Sequence, residues 1–561
     1  MGEVNASKQS PPQTPPPVHK HEGIEEETQA ADISGDIDPA DEVTGVKLLL
    51  IHTSMCLCTF LVGLDFNVIA TAVPVITVEF DSAQDIGWYG AAFMLALCAS
   101  QPLAGKTYTI FPKKTVYLMY MFLFEVGSLV CALAPTSNAL IVGRAVAGLG
   151  ASGVFAGALT LLTTIIPLHK RAIWTGTCAS TFALASIVGP ILGGALTQRV
   201  SWRWCFWINL PIGGAGSVIF FFLVHLRTAK TENQPLRKKF ASLDFIGFLL
   251  IAGAFTQLLL VLQWGGLVHA WSSSVEIGLF VGAGVVLVLF VLWQLRRGED
   301  ALIPPRIFTV NRNPALICAA AFFVAGPFQN VIYWLPVWFQ AVLGASPTQS
   351  GINYFPTVIA DVLAAFIGSG IVMAVGWWNP FLLLAEAFVS LGAGLLSTVE
   401  PGISSGHWIG YQIFGGIGYS LAINISHLGM QSSLPQDLVP IGASTLLAII
   451  STSCAVFNAV GQTVFQTQLQ ADLSRVVSPA TVKQIIDAGV LNFDALVDTN
   501  DLPMVINAYS KAITSVFYIP ASAPVISFGL VCGCRWYSSK SKKTTKVDIE
   551  KPELDESGGK S

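Results

Sequence analysis

About fourteen apolar runs divide this chain, each of them long enough to cross a hydrocarbon layer as a helix. They lie near 47–74, 86–104, 115–134, 139–163, 172–196, 203–224, 243–263, 275–295, 314–336, 350–374, 378–397, 407–428, 440–465 and 511–533. Lipid offers no partner to an open backbone, so runs like these fold as a helical bundle. The chain has 561 residues, 53% hydrophobic and 11% charged, which also describes a polytopic membrane protein. The predicted fold class is therefore all-α. Pro327 and Pro336 make the bounds around 314–340 the least defined.

Charge sets the expected topology. Lys106, Lys113, Lys114, Lys170, Arg171, Arg237, Lys238, Lys239, Arg296, Arg297 and Arg306 all fall in alternate connections. The opposite connections before residue 470 hold only Arg199 and Arg203. The positive-inside rule then puts both termini in the cytoplasm. A net charge of -4 argues against a nucleic-acid partner. Cys56, Cys98, Cys131, Cys178, Cys318 and Cys454 sit inside apolar runs and read as small buried hydrophobes. Cys56-x-Cys58 and Cys532-x-Cys534 lack the companions of a metal site, so no metal or cofactor is expected. No Gly-x-x-x-x-Gly-Lys-Ser/Thr loop is present to hold ATP, and no converging His or Cys ligands suggest an enzyme.

The expected organisation has five parts. Residues 1–45, rich in Pro, Glu and Asp, and residues 535–561, rich in Lys and Ser, read as disordered cytoplasmic tails. Residues 46–224 form one six-helix bundle and 313–534 a second. Between them, 225–312 is a basic hinge region with two extra helices. The outside loop 467–510 belongs to the second bundle, and Val482, Ile485, Ile486 and Val490 give it the periodicity of an amphipathic cap. No cleavable signal peptide is read at the start, and the sequon at Asn5 should be unused.

Polar residues inside spans mark the chemistry. Asp65 lies in the first span; a carboxylate in hydrocarbon costs on the order of 3 kcal/mol unless it is paired, hydrated or protonated. It reads as a proton or cation site, with a helix-packing hydrogen bond as the bland alternative. Arg144 opens the fourth span on a face with Gly143, Ala147 and Ala151. It cannot shed its proton, but it can tune a nearby carboxylate. Weaker candidates for the substrate path are Trp88, Tyr89, Phe93, Gln329, Asn330, Tyr333, Asn424 and His427. Glu125, Asp361 and Glu386 are further ionisable groups in spans three, ten and eleven. Asp244 opens span seven and reads as a helix cap.

In Ala185 to Gly194, Gly189 and Gly193 share one helix face, where a second backbone can approach closely. Pro190 bends the helix beside them, and Gly194 follows. A bend beside a glycine groove suits two bundles that pack tightly and rock. The run continues through the segment from Trp202 to Gly213. Together these stretches resemble the fifth-helix antiporter motif, and the loop after it, of the major facilitator superfamily. The first-span segment around Asp65, ending in Ala72-Val73-Pro74, and the segment around Arg144 are similar to that family's first- and fourth-span motifs. More narrowly the chain resembles the fourteen-span drug:proton antiporter branch, and Gly87-Trp88-Tyr89-Gly90 resembles efflux pumps of filamentous fungi.

The resemblance implies two six-helix bundles of the major facilitator type plus two extra helices. It implies proton-driven export of a small organic compound such as a toxin, secondary metabolite or drug, with the proton gradient in place of a cofactor. Proton coupling would rest on Asp65 and Arg144, the antiporter motif on Gly189, Pro190, Gly193 and Gly194. Gly105, Lys113 and Lys114 match the family's cytoplasmic gating loop, although Thr109 stands at its acidic position and Pro112 at a glycine position. The partners expected are the organic substrate, protons and the lipid bilayer. The chain is expected to act as a monomer in the plasma membrane, with the vacuolar membrane as the other location. A proton-coupled importer of a compound such as a siderophore, and a non-transporting membrane sensor, remain the alternatives.

Overall fold

The computed structural model describes residues 43–536, apart from 83–84, 225–234, 266–268 and most of 479–500. The predicted tails, the start of the basic hinge and the sequon therefore lie outside the described residues or at their edge. No β-strand occurs among the described residues. The first six long helices are α1 Gly45–Phe80, α2 Ile86–Ile110, α3 Lys113–Ala132, α4 Ser137–Ile165, α5 Leu168–Arg199 and α6 Asn209–Leu223. Then come α7 Phe245–Trp264 and α8 Ser274–Arg297. The last group is α9 Asn313–Ala341, α10 Pro347–Val375, α11 Asn379–Leu396, α12 Ser405–Ser433, α13 Val439–Leu473, α14 Leu502–Val516 and α15 Tyr518–Cys532.

Twelve of the described helical lengths are long and apolar enough to cross a membrane, with α14 and α15 counting as one. The two long helices outside that count are α2 and α12. Both are diluted by polar residues, Gln101 and Lys106 on α2 and Gln412, Asn424, His427 and Gln431 on α12. All six are buried inside the protein rather than facing lipid. Hydropathy reads the average of a helix, so a helix whose polar side faces inward is under-scored.

Two apolar cores correspond to the two groups. One joins Met55, Phe93, Phe124 and Leu159 of α1 to α4; the other joins Val324, Trp338, Leu382 and Ile513 of α9, α11 and α14. The groups meet along two seams, α2 against α13 and α5 against α10. A methyl group placed on Gly105 would come within 2.7 Å of Ser444 Oγ and 3.0 Å of the Pro440 carbonyl. One placed on Gly176 would lie 3.2 Å from the Ala365 carbonyl. Only residues without a Cβ allow helices so close. Both contacts lie at the end where α2 gives way to α3, the lysine-bearing end.

The extra pair behaves differently. α7 and α8 are the least buried of the twelve lengths, whereas α4 is the most buried. They pack on each other, and α7 also touches both α2 and α13, so it lies along that seam. Asp244 caps α7 through the Gly247 amide at 2.9 Å. The same carboxylate accepts from Trp293 Nε1 (2.8 Å), Gln294 Nε2 (3.0 Å) and the Leu302 amide (3.1 Å). It thereby ties residues 298–303 to the α7–α8 hairpin.

Several bounds differ from the sequence reading. Pro327 and Pro336 lie within α9, which runs unbroken from Asn313 to Ala341, and beside Pro327 the Ser453 Oγ of α13 donates to the Phe322 carbonyl and accepts from the Gly326 amide. The loop expected at 467–510 is shorter, since α13 continues to Leu473 and α14 starts at Leu502. Phe465, Leu469 and Leu473, one turn apart, keep burying the face of α13 beyond the apolar run. Val482 and Ile485 are buried in the second core; Ile486 and Val490 lie outside the described residues.

Candidate functional site

α4 is built to approach its neighbours closely. A Cβ on Gly148 would lie 2.3 Å from the Phe93 carbonyl, and one on Gly150 2.3 Å from the Phe124 amide. That approach carries α2 over Arg144. Its Nε donates to the Tyr89 carbonyl at 2.8 Å, and the Phe93 ring lies 4.4 Å from the guanidinium carbon. Arg144 Nη1 is paired with Asp65 Oδ2 of α1, and both side chains are fully buried. Asn209 at the start of α6 donates to Asp65 Oδ1 at 3.0 Å, and its amide nitrogen lies 3.1 Å from Ser128 Oγ of α3. Both carboxylate oxygens are therefore engaged, as burial of a charge in a low dielectric requires. Nearby on α3, both Glu125 oxygens are buried without a hydrogen-bond partner. The sequence pointed to Asp65, Arg144 and Glu125. It passed over Asn209 and Ser128; an Asn in an apolar run just before Pro211 was the available signal for the first.

Between the two helix groups lies a cavity of about 660 Å³. That size falls within the usual range for small-molecule sites. Phe66, Phe93, Phe155 and Phe182 wall one side, with neighbouring ring centroids 6.0–6.4 Å apart. Phe328 and Tyr419 stack at 4.5 Å on the other. Leu259 and Leu262 bring α7 into the wall. Phe93 thus belongs to the cavity and to the Arg144 cage at once.

The expected path residues divide. Phe93, Gln329, Asn424 and His427 line this cavity. The other four do not. Tyr89 is fully buried, its hydroxyl bonded to Ser82 and Ser137. Asn330 donates to the Phe457 carbonyl at 3.0 Å between α9 and α13. Tyr333 is 53% exposed on the outer face of α9, and Trp88 is half-buried away from the cavity wall. On a helix each step of one residue turns the side chain by about 100°, so neighbours of a lining residue often face elsewhere.

The glycine face of α5 packs against α1 of its own group. A Cβ on Gly189 would lie 2.7 Å from Asn67 Cβ, and one on Gly193 2.7 Å from the Val68 carbonyl. Gly194 would meet nothing within 4 Å, and α5 passes Pro190 without a break. The close approach read from the spacing is there, but its partner is α1 and not the opposite bundle. Of the three residues expected at the gate, Gly105, near the end of α2, alone meets the other group. Lys113 donates to Thr164 Oγ1 at 2.7 Å and Lys114 to the Phe221 carbonyl at 2.6 Å, both inside the first group. Lys106 reaches out of the first group to the segment after α8, donating to the carbonyls of Glu299 (3.1 Å) and Ala301 (2.9 Å).

Two inward-packed helix groups around a central cavity, with a buried ion pair beside it, define a membrane transporter. The Major Facilitator Superfamily model matches residues 55–462, and the chain belongs to that family. It is 41% identical over 495 residues to the efflux pump roqT of Penicillium rubens, covering 88% of this chain and 91% of that one. It is 38% identical over 520 residues to the efflux pump aunC of Aspergillus niger, covering 93% and 91%. The aspyridones efflux protein of Neocamarosporium betae is 38% identical over 515 residues, covering 91% and 90%. Among solved structures, the human organic anion transporter MFSD10 superposes with a TM-score of 0.56 at 13% identity, covering 87% of this chain and 100% of that one. That likeness speaks for the fold.

Proposed function

We propose that this protein is a proton-driven antiporter that exports a small organic compound, a secondary metabolite or toxin, from the cytoplasm. The observation that carries the reading is the sealed Asp65–Arg144 pair, separated from the cavity by the Phe93 ring that belongs to both. Protonating Asp65 cancels its charge and frees Arg144 from its partner; a substrate pressing on Phe93 bears on the same pair. The two events are thus coupled through one aromatic ring. One charge moving down a 100 mV potential releases about 2.3 kcal/mol, the scale on which such a carboxylate harvests the gradient. Gly105, packed against α13, serves as the cytoplasmic gate contact in place of Lys113 and Lys114, while Lys106 ties α2 to the segment after α8. The relatives named as efflux pumps support export as the direction. In this reading α2 and α12 complete fourteen crossings, both termini are cytoplasmic, and a monomer works in the plasma membrane.

The test is substrate content in cells expressing the chain, before and after an uncoupler collapses the proton gradient. A proton-driven exporter gives low content that rises with the uncoupler. Asp65→Asn keeps the side chain's shape and removes the titratable proton; it should abolish the gradient-dependent part while the protein stays in the membrane. Removing a partner of a buried pair outright costs about 3–5 kcal/mol, so Asp65→Ala would confound folding with coupling. Gradient-dependent export at the wild-type rate by Asp65→Asn would remove Asp65 from the proposal. High content that falls with the uncoupler would reverse the direction.

A further inference from the structure

Ser128 and Glu125 stand one turn apart on α3, Asn209 and Gly213 one turn apart on α6, and the two pairs face each other. Asn209 Nδ2 lies 3.0 Å from Asp65 Oδ1 and 3.1 Å from Ser128 Oγ. One turn on, a methyl group placed on Gly213 would overlap Glu125 Oε1. The Glu125 carboxyl thus fills the space that a side chain at 213 would take. Its layer lies about 4.5–6 Å from the Asp65 layer along the helices. The offset is toward the lysine-bearing end, where α3 starts at Lys113 and Lys114 holds the Phe221 carbonyl near the far end of α6. The pocket has acceptors in excess. Glu125 Oε1 and Oε2 and Asn209 Oδ1 are buried without a hydrogen-bond partner, and Asn209 is fully buried. An ionised carboxylate only adds acceptors, whereas a protonated carboxyl brings its own donor. A buried carboxylate without a partner is costly, and such a group takes a proton instead. The charged and titratable groups around Glu125 are Asp65 and Cys58 of α1, Arg144 of α4, which holds the other Asp65 oxygen, and Tyr117, two turns earlier on α3 beside Cys58. Asp65 is the one other carboxylate among them, and Asn209 and Gly213 of α6 bring no charge.

We propose that Glu125 is a second proton site of this transporter, which takes the proton from Asp65 and releases it at the lysine-bearing end. The proposal deepens the antiport reading and rests on it for the direction of flow. In the state described, Asp65 is ionised against Arg144 and Glu125 is the acid. Opening of the lysine-bearing end lets Glu125 shed its proton to water. A proton that arrives on Asp65 from the other end breaks the pair with Arg144. It then moves on: the O–H bond on Asp65 breaks, one forms on a Glu125 oxygen, and the negative charge returns to Asp65 beside Arg144. One proton crosses per cycle, and no other reactant is consumed.

The experiment follows the carbonyl stretch of protonated carboxyls by infrared difference spectroscopy. It uses purified full-length protein in lipid nanodiscs, with no substrate and no gradient. Wild type minus Glu125→Gln should show a protonated-carboxyl band at neutral pH, and heavy water should shift it while the protein stays folded. With Asp65→Asn in both samples the band should fade at a pH at least about one unit lower, because the two groups no longer share one charge. In cells, with rhodamine 123 as the exported dye, Glu125→Gln should lose the gradient-dependent part of export at least about tenfold. Glu125→Asp keeps a titratable proton and should retain part of it. No band at neutral pH, a band that heavy water leaves in place until the protein unfolds, or a titration that ignores Asp65→Asn each overturns the proposal. So does gradient-dependent export at the wild-type rate by Glu125→Gln, which keeps the shape of the side chain and would satisfy a merely structural role. Should Glu125→Gln fail to fold, Glu125→Asp supplies the difference spectrum. Should cells not export rhodamine 123, the spectra decide. Because the spectra use neither gradient nor substrate, their outcome is separate from the uncoupler test of proton-driven export.

Discussion

At Gly193 one added methyl carbon would sit 2.5 Å from Thr71 Oγ1, while at Gly194 it would meet nothing within 4 Å. Overpacking a tight contact costs about 1–3 kcal/mol. Gly193→Leu should therefore lower the thermal midpoint and folded yield in detergent, measured by size-exclusion chromatography after heating, and Gly194→Leu should leave both near wild type. No loss for Gly193→Leu would show that α1 yields there. Adjacent glycines in one motif thus differ in kind, and no sequence spacing separates them. Asp65 and Arg144 were legible because an ionisable group in an apolar run needs a reason. That they pair with each other was not, since 79 residues separate them. Lys106 was legible only as a topology signal; its acceptors are backbone carbonyls 193 and 195 residues away, which carry no side-chain signature.

Helix ends show the same limit for elements. α1 continues to Phe80, beyond its apolar run, and Glu79 near its end accepts from Trp202 Nε1 (2.6 Å) and Arg203 Nη1 (2.7 Å) in the turn before α6. Arg203 also reaches the Ala134 carbonyl after α3 at 3.1 Å. The hydrogen bond from Trp202, helped by Arg203, holds the Glu79 carboxyl below its ordinary range. A carboxylate depressed in the folded state stabilises above its unfolded pKa and loses that contribution as pH falls through the folded value. The gap in thermal midpoint between wild type and Glu79→Gln should be present at pH 7. It should shrink as the pH drops below about 4.3, the ordinary Glu value, and close further down. A gap that stays constant from pH 7 to pH 3 would mean that the clamp works through shape alone. The Trp202-to-Gly213 stretch was conspicuous in the sequence, yet what it holds was readable only once α1 was seen to run long.

For the whole molecule, the fold class followed from the apolar runs, which already included α2 and α12, although Gln101, Asn424 and His427 of the cavity wall sit on those two helices. The seams were not legible, because small residues that join helices look the same within a bundle as between bundles. Gly176 and Ala365 sit across the α5–α10 seam, with an ideal Cβ on Gly176 3.6 Å from Ala365 Cβ. That lies within the range a disulfide spans. Gly176→Cys combined with Ala365→Cys should cross-link on mild oxidation, stop export, and recover on reduction. Export at an unchanged rate after complete cross-linking would mean that these ends never part. The two seams differ in what lies outside them. α7 lies along the one between α2 and α13 and contributes Leu259 and Leu262 to the cavity wall. On the other flank, Leu184 and Ile191 of α5 and Ile359, Leu363 and Phe366 of α10 remain exposed. A solute dissolved among the acyl chains therefore meets a shuttered flank on one side and a bare one on the other. The hairpin makes the protein handed toward its own bilayer, with one seam covered by an extra helix and the other facing the acyl chains bare.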